Sequence, residues 1–283
     1  MDNILSLHDD LKNKTYSHGP YHAFNISDPK PRNIHKASVR DRLLHHAIYK
    51  VLYPYFDKQF IHDSYSCRLN KGTHKALERF RRFAYKVSKN NTKQCWLMKC
   101  DVKKFFASID HSILVAILEG HIPDESTISL LKTVIKSFRS TQQGKGLPIG
   151  NLTSQLLVNV YMNEFDQYLK HKLKIKYYIR YADDFVVLAQ DKDQLIHNLR
   201  YIACYLNDNL KLSLHPDKVF IKTLSSGVDF LGWVHFPNHR ILRTTTKRRM
   251  LKNLSQNSSK ETIASYRGLL RWGNTQKIKR IFT

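Results

Sequence analysis

Residues 176–189 read KYYIRYADDFVVLA, and this stretch decides the fold. Two strand-like runs, KYYIRY (176–181) and FVVLA (185–189), are separated only by Ala182, Asp183 and Asp184. Apolar, β-branched and aromatic residues on both sides of so short a break predict a hairpin with acids at its tip. A bare Asp-Asp pair in a turn is usually an ordinary solvated turn. Here the pair stands between two apolar strands, and that context indicates a functional site.

A third acid ends another apolar run. Residues 96–101, WLMKCD, predict a short, mostly buried strand that ends on Asp101. Three helices are expected between this strand and the hairpin. The first is capped by Asp110, the second covers about 126–138, and the third is long and capped by Thr153. Closely spaced glycines and a proline at 144–150 predict a loop ahead of the third helix.

The elements after the hairpin complete a recognisable order. Apolar spacing from Leu195 to Leu206 predicts a helix, and a last strand pair is expected around 219–222 and 228–236. Strand, helix, hairpin, helix, strand is the ferredoxin-like split βαβ arrangement. The predicted fold class is therefore α+β, with an antiparallel sheet and a helical insertion at about 111–171. The first hundred residues should be mainly helical, after an extended entry segment broken by Pro29 and Pro31.

The three acids point to one chemistry. In a split βαβ sheet, the strand ends that carry Asp101, Asp183 and Asp184 can lie side by side. Clustered carboxylates on central strands are costly unless cations neutralise them. Two Mg²⁺ ions about 3.5–4 Å apart, with Mn²⁺ as a candidate substitute, would neutralise them and serve nucleotidyl transfer. Since adjacent strand residues point to opposite faces, Asp183 should bridge metals with Asp101, and Asp184 should make a weaker or second-metal contact.

Charge is the strongest signal in the composition. The chain has 47 Lys+Arg against 23 Asp+Glu, a formal net charge of +24. Such an excess opposes compaction unless a polyanion neutralises it, so nucleic acid is the expected partner. From Arg240 to the end, 12 basic residues face a single acid, Glu261. Apolar spacing among them suggests packed helices that face phosphates; a merely solvated basic face is the alternative.

Composition also limits compartment and class. No apolar run approaches the roughly 20 residues of a membrane helix, and the N-terminus lacks a secretion pattern. Neither a membrane nor a secreted location is therefore expected, and the prediction is a cytoplasmic protein. The four cysteines form no CxxC pair and no zinc-like spacing, so they are expected to be reduced, buried thiols.

These motifs resemble those of reverse transcriptases. YADDFVVL (181–188) looks like their catalytic hairpin, and CDVKKFFASIDH (100–111) looks like their first catalytic block. GLPIGNLTSQLLVNVYMNEFDQYL (146–169) resembles the family's fourth conserved block. LSLHPDKVFI (212–221) and VDFLGW (228–233) resemble the two blocks that follow the hairpin. They follow the family's order over roughly residues 30–236. The resemblance implies an RNA-directed DNA polymerase that uses dNTPs and binds template RNA and the RNA/cDNA duplex.

The resemblance also implies a right-hand polymerase with a ferredoxin-like palm. Its expected divisions are an N-terminal extension (1–30), helical fingers (31–95), the palm (96–236) and a short helical thumb (237–283). The helices inserted at 111–171 would be shared by fingers and palm. The run from Lys30 to Leu77 is similar to the fingers of group II intron-like bacterial enzymes. RRMLKNL and SYRGLLRWGN in the tail resemble a thumb that follows the duplex by its phosphates.

The family's roles carry over to residues around the incoming nucleotide. Phe106 matches the aromatic that faces the sugar and excludes a 2′-OH; core packing is the alternative, and Phe105 is the expected core ring. Cations that grip the triphosphate are implied at Arg32, Lys36 and Arg40, since several negative charges must be offset. Further nucleotide contacts are implied at Ile149, Gly150 and Gln155. The resemblance also implies Val102 as a metal ligand, beside Asp101, Asp183 and Asp184.

Other roles concern catalysis, template and primer. Lys218, in HPDK, resembles the lysine that protonates the pyrophosphate leaving group. FLGW matches the primer-grip hairpin, with a core strand as the alternative. The residues implied in template or primer binding are Arg68, Lys71, Ser154, Phe230, Leu231, Gly232, Trp233, Arg248 and Arg249.

The fourth block narrows the family. Most group II intron-like enzymes have glutamine before the glycine and Ser-Pro after it, whereas this chain has Ile149-Gly150 and then Ser154-Gln155. That pattern looks like the reverse transcriptases of diversity-generating retroelements, which introduce adenine-directed errors into a variable gene copy. Such enzymes work with a structured template RNA and a small, basic, oligomeric accessory protein. The alternatives are an ordinary-fidelity enzyme of retron-like or phage-defence type, and a catalytically idle RNA-binding palm.

Overall fold

The computed structural model describes residues 2–27, 31–138, 140 and 142–279, so Pro29 lies outside the described residues. The helices are α1 Asp2–Lys12, α2 Val39–Asp57, α3 Thr73–Val87, α4 Phe105–Ser108, α5 His111–Glu119, α6 Glu125–Lys136, α7 Leu152–Gln167, α8 Lys192–Leu210, α9 Thr244–Gln256, α10 Lys260–Leu270 and α11 Gln276–Lys279. The strands are β1 His22–Ile26, β2 Arg32–Lys36, β3 Trp96–Asp101, β4 Tyr178–Tyr181, β5 Asp184–Ala189, β6 Phe220–Thr223, β7 Val228–Phe230, β8 Trp233–His235 and β9 Arg240–Leu242.

The central sheet has the predicted topology. Its four strands are all antiparallel to their neighbours, in the order β4-β5-β3-β6. Helices α4 to α7 connect β3 to β4, and α8 connects β5 to β6, which is the split βαβ connectivity. The α+β class, the ferredoxin-like sheet and the helical insertion are therefore confirmed. The strand at 96–101 and the hairpin around Asp183 form where the sequence predicted them.

The sheet is buried on both faces. Met98 and Cys100 of β3 belong to the larger core, which they form with α5, α7 and α8. Leu97, next to Met98 in the strand, belongs to a second core on the other face, with α3 and β7. Burial of both faces explains why WLMKCD and FVVLA are nearly continuous apolar runs rather than alternating ones.

A two-stranded hairpin, β1–β2, projects from the fingers region and is tied to the loop before α7. The His35 N–H donates to the Ile149 carbonyl at 3.0 Å. The Asn151 side chain donates to the His35 carbonyl at 2.8 Å and accepts the Ala37 N–H at 3.4 Å. We name these three hydrogen bonds the Asn151 clasp. The boundary that we expected at residue 30 falls inside this hairpin, because β1 precedes it and β2 follows it.

The prediction of a final strand pair is wrong. Strand β6 pairs with β3 at the edge of the central sheet, whereas β7 begins a separate three-stranded sheet with β8 and β9. A 3₁₀ turn at Leu224–Ser226, followed by Gly227 at φ 81°, redirects the chain between them. Local apolar patterns locate the two strands, but they do not say whether these strands pair with each other.

Helix capping was predicted correctly once and wrongly once. Asp110 caps α5, where its carboxylate accepts the N–H groups of Ser112 and Ile113. Thr153 does not cap α7, because that helix already begins at Leu152 and Thr153 is buried inside it. Asn151 holds the cap position, but its side chain makes the clasp rather than a cap hydrogen bond.

All four cysteines are free thiols. Cys95 and Cys100 are buried as expected, whereas Cys67 and Cys204 are exposed, so the prediction of buried thiols is wrong for these two. Among the described residues, no helix is long and apolar enough to cross a membrane.

Candidate active site

The sheet register brings the three predicted acids to one edge. Asp101 at the end of β3 pairs directly with Asp184 at the start of β5. Asp183 precedes Asp184 in the tight β4–β5 connection, where Ala182 has φ 56°. The Asp183 carbonyl accepts the Val102 N–H at 3.1 Å, which fixes the hairpin tip against the end of β3. The acids lie together because β3 and β5 are neighbours in the sheet, not because they are close in sequence.

Opposing effects act on the pKa of Asp183. Burial raises the pKa of Asp183, and the negative charge of Asp101 raises it further. A backbone N–H, Lys218 and Arg32 lower the same pKa. The net upward direction means that the carboxylate form carries an electrostatic cost at this position.

The pKa of Asp184 is also raised, although Lys99 of the neighbouring strand forms an ion pair with this carboxylate. Burial raises the pKa of Asp184 to about 7, although Lys99 lowers it. The Lys99 ammonium lies 3.2 Å from Asp184 Oδ2. The other oxygen, Oδ1, is buried and has no hydrogen-bond partner among the described residues. A buried oxygen without a donor is an available ligand for a cation.

Lys218 reaches the acids from the strand on the other side of β3. It ends a 3₁₀ turn at Pro216–Lys218, just before β6, and its ammonium lies 2.9 Å from Asp101 Oδ1. The His215 N–H donates to the Asp101 carbonyl at 2.7 Å, which holds this turn against the end of β3. The Lys218 side chain remains about half exposed, so its ammonium lies where the acids meet solvent.

The donor set fits Mg²⁺ in its chemistry. Three carboxylates supply the hard oxygen ligands that this ion takes, and Asp184 Oδ1 has no competing donor. The side chains are arranged as ion pairs with Lys99 and Lys218, and no three His, Cys, Asp or Glu of the described chain are grouped as the ligands of one ion. Val102 is buried and donates its N–H to Asp183. Its role as a ligand stays a prediction.

The cations expected at the triphosphate divide into two groups. Arg32 lowers the pKa of Asp183, so it acts on the acids from the β1–β2 hairpin, and Lys36 is exposed on the same face of β2. Arg40 instead pairs with Asp10 and lies 5.3 Å from the Tyr16 ring centroid. The structure therefore engages Arg40 with α1 and does not bring it to the acids.

Phe105 and Phe106 divide as expected. Phe105 is buried in the main core, whereas Phe106 is only partly buried and meets it edge to face at 5.6 Å. Phe106 follows Asp101 through the short helix α4, and its carbonyl accepts the Leu147 N–H at 2.8 Å. The core role of Phe105 is confirmed, and the contact of Phe106 with a sugar stays a prediction.

The fourth block forms the joint between fingers and palm. Gly150 has φ +109°, and a Cβ there would lie 2.7 Å from Ile34 Cγ2 of β2, so only glycine fits without displacement. Ile149 and Gln155 are partly exposed. Ser154 is buried, so the prediction that it contacts template or primer is wrong for this conformation. It lies inside α7, where side chains on nearly all sides are buried.

Arg68 is another correction. Its guanidinium donates to the Asp57 carboxylate at 2.7 Å, the Ile61 carbonyl at 2.7 Å and the Ser64 carbonyl at 3.1 Å. With its side chain buried in these bonds, it closes the loop after α2 and does not face a template. Lys71 donates to the His62 carbonyl at 2.8 Å and is partly exposed; its template contact stays a prediction.

The four residues of the expected primer grip divide into two buried rings and two partly exposed turn residues. Phe230 and Trp233 are buried, Phe230 against Phe80 and Trp233 against Gly273, so the prediction of direct contact is wrong for both rings. Leu231 and Gly232, at φ 50° and 84°, form the two-residue turn between β7 and β8 and are partly exposed. Two positive φ values are typical of a type I′ hairpin turn.

The thumb-side cations lie on α9. Arg248 is exposed, and Arg249 is partly exposed and makes contacts within the protein. Arg249 also lines the groove beside the Leu231–Gly232 turn. Their contact with the duplex stays a prediction.

Sequence reasoning missed three residues that shape the site. Lys99 pairs with Asp184, Arg180 makes a buried ion pair under the hairpin, and Asn151 makes the clasp. Lys99 and Arg180 each interrupt an otherwise apolar strand, and a charged residue at a buried strand position is itself a signal. Asn151 carries no comparable signal, because asparagine is common in loops.

Comparison with known proteins agrees with this geometry. A family model described as reverse transcriptase (RNA-dependent DNA polymerase) matches residues 26–235. The chain is 26% identical over 287 residues to protein YkfC of Escherichia coli, covering 86% of this chain and 72% of YkfC. It is 21% identical over 334 residues to the group II intron-encoded protein LtrA of Lactococcus lactis, covering 93% of this chain and 54% of LtrA.

Solved structures show the same fold at low identity. An apo telomerase of Candida tropicalis, truncated from its C-terminal domain, matches with a TM-score of 0.60 and 12% identity. That match covers 85% of this chain and 60% of the telomerase chain. Telomerase of Candida albicans, in complex with a fragment of telomeric RNA, matches with a TM-score of 0.57 and 10% identity, covering 87% of this chain and 51% of that one. Because the family model spans the hairpin, the first catalytic block and the whole central sheet, the chain belongs to the reverse transcriptase (RNA-dependent DNA polymerase) family.

Proposed function

We propose that this chain copies RNA into DNA by two-metal nucleotidyl transfer at Asp101, Asp183 and Asp184. The observation that carries the proposal is the pairing of Asp101 with Asp184 across β3 and β5, with Asp183 beside them at the hairpin tip. Grouped, partly buried carboxylates are costly alone and are stabilised by divalent cations. Bound Mg²⁺ would activate the primer hydroxyl and stabilise charge on the leaving oxygen.

The chain's own residues supply the remaining steps. Arg32 and Lys36, on the exposed hairpin, would offset the negative charge of the triphosphate. Lys218 would move from the Asp101 carboxylate to donate a proton to the pyrophosphate leaving group. Phe106 would lie against the sugar and exclude a 2′-OH. These roles extend the family activity to named side chains.

Primer extension on a defined RNA template tests the proposal. Asp183→Asn keeps the shape of the side chain but removes its charge, and we expect extension with Mg²⁺ to fall below about 1% of the parent rate, a loss of roughly 3 kcal/mol or more in transition-state stabilisation. RNA affinity should stay within a few-fold, since phosphate contacts elsewhere supply binding. Asp193→Asn, an exposed acid on α8, is the matched control. Extension retained in Asp183→Asn would reject the metal assignment.

We further propose that the enzyme belongs to a diversity-generating retroelement and misincorporates mainly opposite template adenine. The support is the IGNLTSQ pattern, in which Ile149 replaces the glutamine of most group II intron-like relatives. Ile149 is partly exposed and adjoins Gly150 at the joint between fingers and palm. A glutamine amide could hydrogen-bond the nucleotide or primer there, whereas an isoleucine side chain can make only apolar contacts. One lost contact changes discrimination by about 1–3 kcal/mol. The adenine preference itself rests on the resemblance alone.

Sequencing of cDNA tests this assignment and Ile149 together. An RNA template with balanced bases would be copied by the parent and by Ile149→Gln. We expect errors concentrated at adenines in the parent and fewer errors in the variant. Errors spread evenly over the four bases favour an ordinary-fidelity enzyme of retron-like or phage-defence type. An adenine bias that the variant leaves unchanged keeps the retroelement assignment and removes Ile149 from its cause.

A small, basic accessory protein is the proposed partner, together with a structured template RNA. The chain carries a net charge of +24, so a second basic protein would be repelled unless RNA lies between them. Co-purification of such a protein should therefore depend on RNA. Complex formation that survives ribonuclease treatment would indicate a direct protein contact instead.

A further inference from the structure

A pocket lined by arginines lies beside the turn that joins β8 and β9. Arg81 of α3, Arg240 of β9 and Arg271 just after α10 line it, and its volume is ≈ 380 Å³. Two histidines and two asparagines also line the pocket, and no described lining residue is acidic. The size falls in the range of sites that take a small molecule or one unit of a chain.

The turn side of this pocket lies away from the three acids. The Asn91 side chain donates to the Pro237 carbonyl at 3.3 Å and to Asn238 Oδ1 at 2.8 Å, so the β8–β9 turn lies near Asn91. Asn91 precedes β3, which begins at Trp96, whereas Asp101 ends that strand. A strand of this length spans roughly 17 Å. The β8–β9 turn therefore lies toward the start of β3, whereas Asp101 ends that strand.

Its positive charge is only partly compensated by the described residues. Arg240 donates through Nε to the Trp272 carbonyl, but its Nη1 is buried and has no hydrogen-bond partner among the described residues. Burial lowers the pKa of Arg240, and Arg81 lowers it further, while Glu78 acts in the opposite direction. A buried guanidinium N–H without an acceptor is unfavourable, so an anion in the pocket would satisfy it.

Aromatic rings border the same pocket. Trp272 lines it and stacks on His74 with ring centroids 4.0 Å apart, and Phe236 stacks on His239 at 4.8 Å. Planar rings next to arginines are the surface on which single-stranded nucleic acid binds, because bases stack on the rings while phosphates meet the cations. Inorganic anions would use only the arginines.

We propose that this arginine pocket binds a phosphate group of an RNA strand, as an RNA contact separate from the catalytic cleft. Arg240 Nη1, Arg81 and Arg271 hold the phosphate oxygens, and the adjoining base lies against Trp272 or His239. The pocket requires neither the metal assignment nor the retroelement assignment. A free nucleotide carries the same phosphate chemistry and is the other source to be distinguished.

The test compares two double charge reversals in the full chain. Arg81→Glu/Arg271→Glu changes two exposed arginines of the pocket and leaves Arg240 in place. Lys172→Glu/Arg200→Glu makes the same charge change at exposed positions beyond the other face of the sheet. Each variant is titrated with a short single-stranded RNA at several salt concentrations and, separately, with ATP in the absence of divalent cations. Thermal melting verifies folding, and extension of a preformed primer duplex reports the catalytic site.

We expect the pocket variant to bind RNA at least about tenfold more weakly than the control variant, with a salt slope smaller by about 1. Arg81→Glu alone should extend a saturating duplex at the parent rate, which separates this result from a failure of catalysis. Loss of ATP binding with unchanged RNA affinity would overturn the RNA strand as the source and assign the pocket to a free nucleotide. Equal RNA and ATP binding by both variants would overturn the phosphate site altogether.

A second variant, Arg240→Gln, removes the buried guanidinium that the Arg81→Glu/Arg271→Glu variant retains. We expect it to weaken RNA binding as the pocket double variant does. If Arg240→Gln melts like the parent yet binds RNA equally well, Arg240 only joins β9 to the loop after α10 and the proposal fails.

Discussion

Arg180 of the catalytic hairpin and Asp166 of α7 form an ion pair in which neither side chain is exposed. Arg180 Nε lies 2.8 Å from Asp166 Oδ1, and Nη2 lies 2.6 Å from Oδ2. The same guanidinium donates to the Ala182 carbonyl at 3.3 Å, one residue before Asp183. The Tyr178 hydroxyl donates to Asp166 at 2.7 Å. The pair thus holds the backbone immediately before Asp183.

Breaking this pair should destabilise the fold severely. Asp166→Asn would leave a buried guanidinium without its counter-charge, and we expect the free energy of unfolding to fall by about 3–5 kcal/mol. Urea unfolding measures it. The exposed pair Lys132–Glu119 is the control, since Glu119→Gln should cost less than about 1 kcal/mol. A loss that is equally small for Asp166→Asn would mean that the buried pair does not hold the hairpin.

Lys218 should affect the rate of chemistry more than the binding of dNTP. We expect Lys218→Gln to lower the single-turnover rate by about 10²–10⁴, with KM changed only a few-fold, because proton transfer belongs to the transition state. Lys218→Arg keeps the charge beside Asp101 but is a poor proton donor, so it should recover little of the rate. Full recovery by arginine would show that Lys218 acts as a charge and not as an acid.

Phe106 should control the choice of sugar. Phe106→Val removes the partly buried ring, and we expect ribonucleotides to be incorporated more readily while dNTP use persists. Competing dNTP and NTP extension measures the ratio. Phe105→Val, in the core, is the matched control and should lower stability without changing this ratio. Unchanged discrimination in Phe106→Val would show that its ring only packs against Phe105.

Much of the site was predictable because acids in apolar strands are rare. WLMKCD and YIRYADDFVVL located the strands, the hairpin and all three acids, since burial of both sheet faces leaves few polar positions. Contacts between distant segments were not predictable in the same way. Arg68 and Arg40 look like free cations in sequence, but Asp57 and Asp10 hold them in the structure. Pairing of β6 with β3 depends on sheet order, which local periodicity does not encode.

RNA binding should weaken steeply with salt. A protein that neutralises about 6–10 phosphates loses on the order of 10³–10⁵ in affinity between 50 and 200 mM salt. Charge reversal at Arg248 and Arg249 of α9 should flatten the slope for a primer duplex, because Arg249 lines the groove beside the Leu231–Gly232 turn and Arg248 is exposed on the same helix. The control is the Lys172→Glu/Arg200→Glu variant. If both variants give the same slope, α9 does not contact the duplex.

The free energy of unfolding should depend on pH through His45 of α2, which lies against His18 in the segment after α1. Burial, together with the neighbouring His18, whose Nε2 lies 3.2 Å from that of His45, lowers the pKa of His45 to about 4. Between about pH 6.5 and 4 the unfolded chain therefore binds a proton that the folded chain does not. Stability should fall as pH falls through this window, by at most about 1.4 kcal/mol per pH unit from His45.

His45→Gln removes this titration and should make the acid loss shallower, as measured by urea unfolding from neutral pH downward. His235, whose pKa is also lowered, stays in the variant and keeps a background loss of the same sign. An identical pH dependence in parent and variant would show that His45 is not linked to unfolding.

The Asn151 clasp has a consequence for the order of folding. A two-stranded hairpin is marginal in water, and β1–β2 is largely exposed. The residue that secures it lies more than a hundred positions away, at the start of α7. Contacts of such sequence separation carry the loop-closure entropy of the whole intervening chain and form late. Arg32 should therefore reach its place only after the palm has folded, so the nucleotide grip is assembled on a finished catalytic sheet.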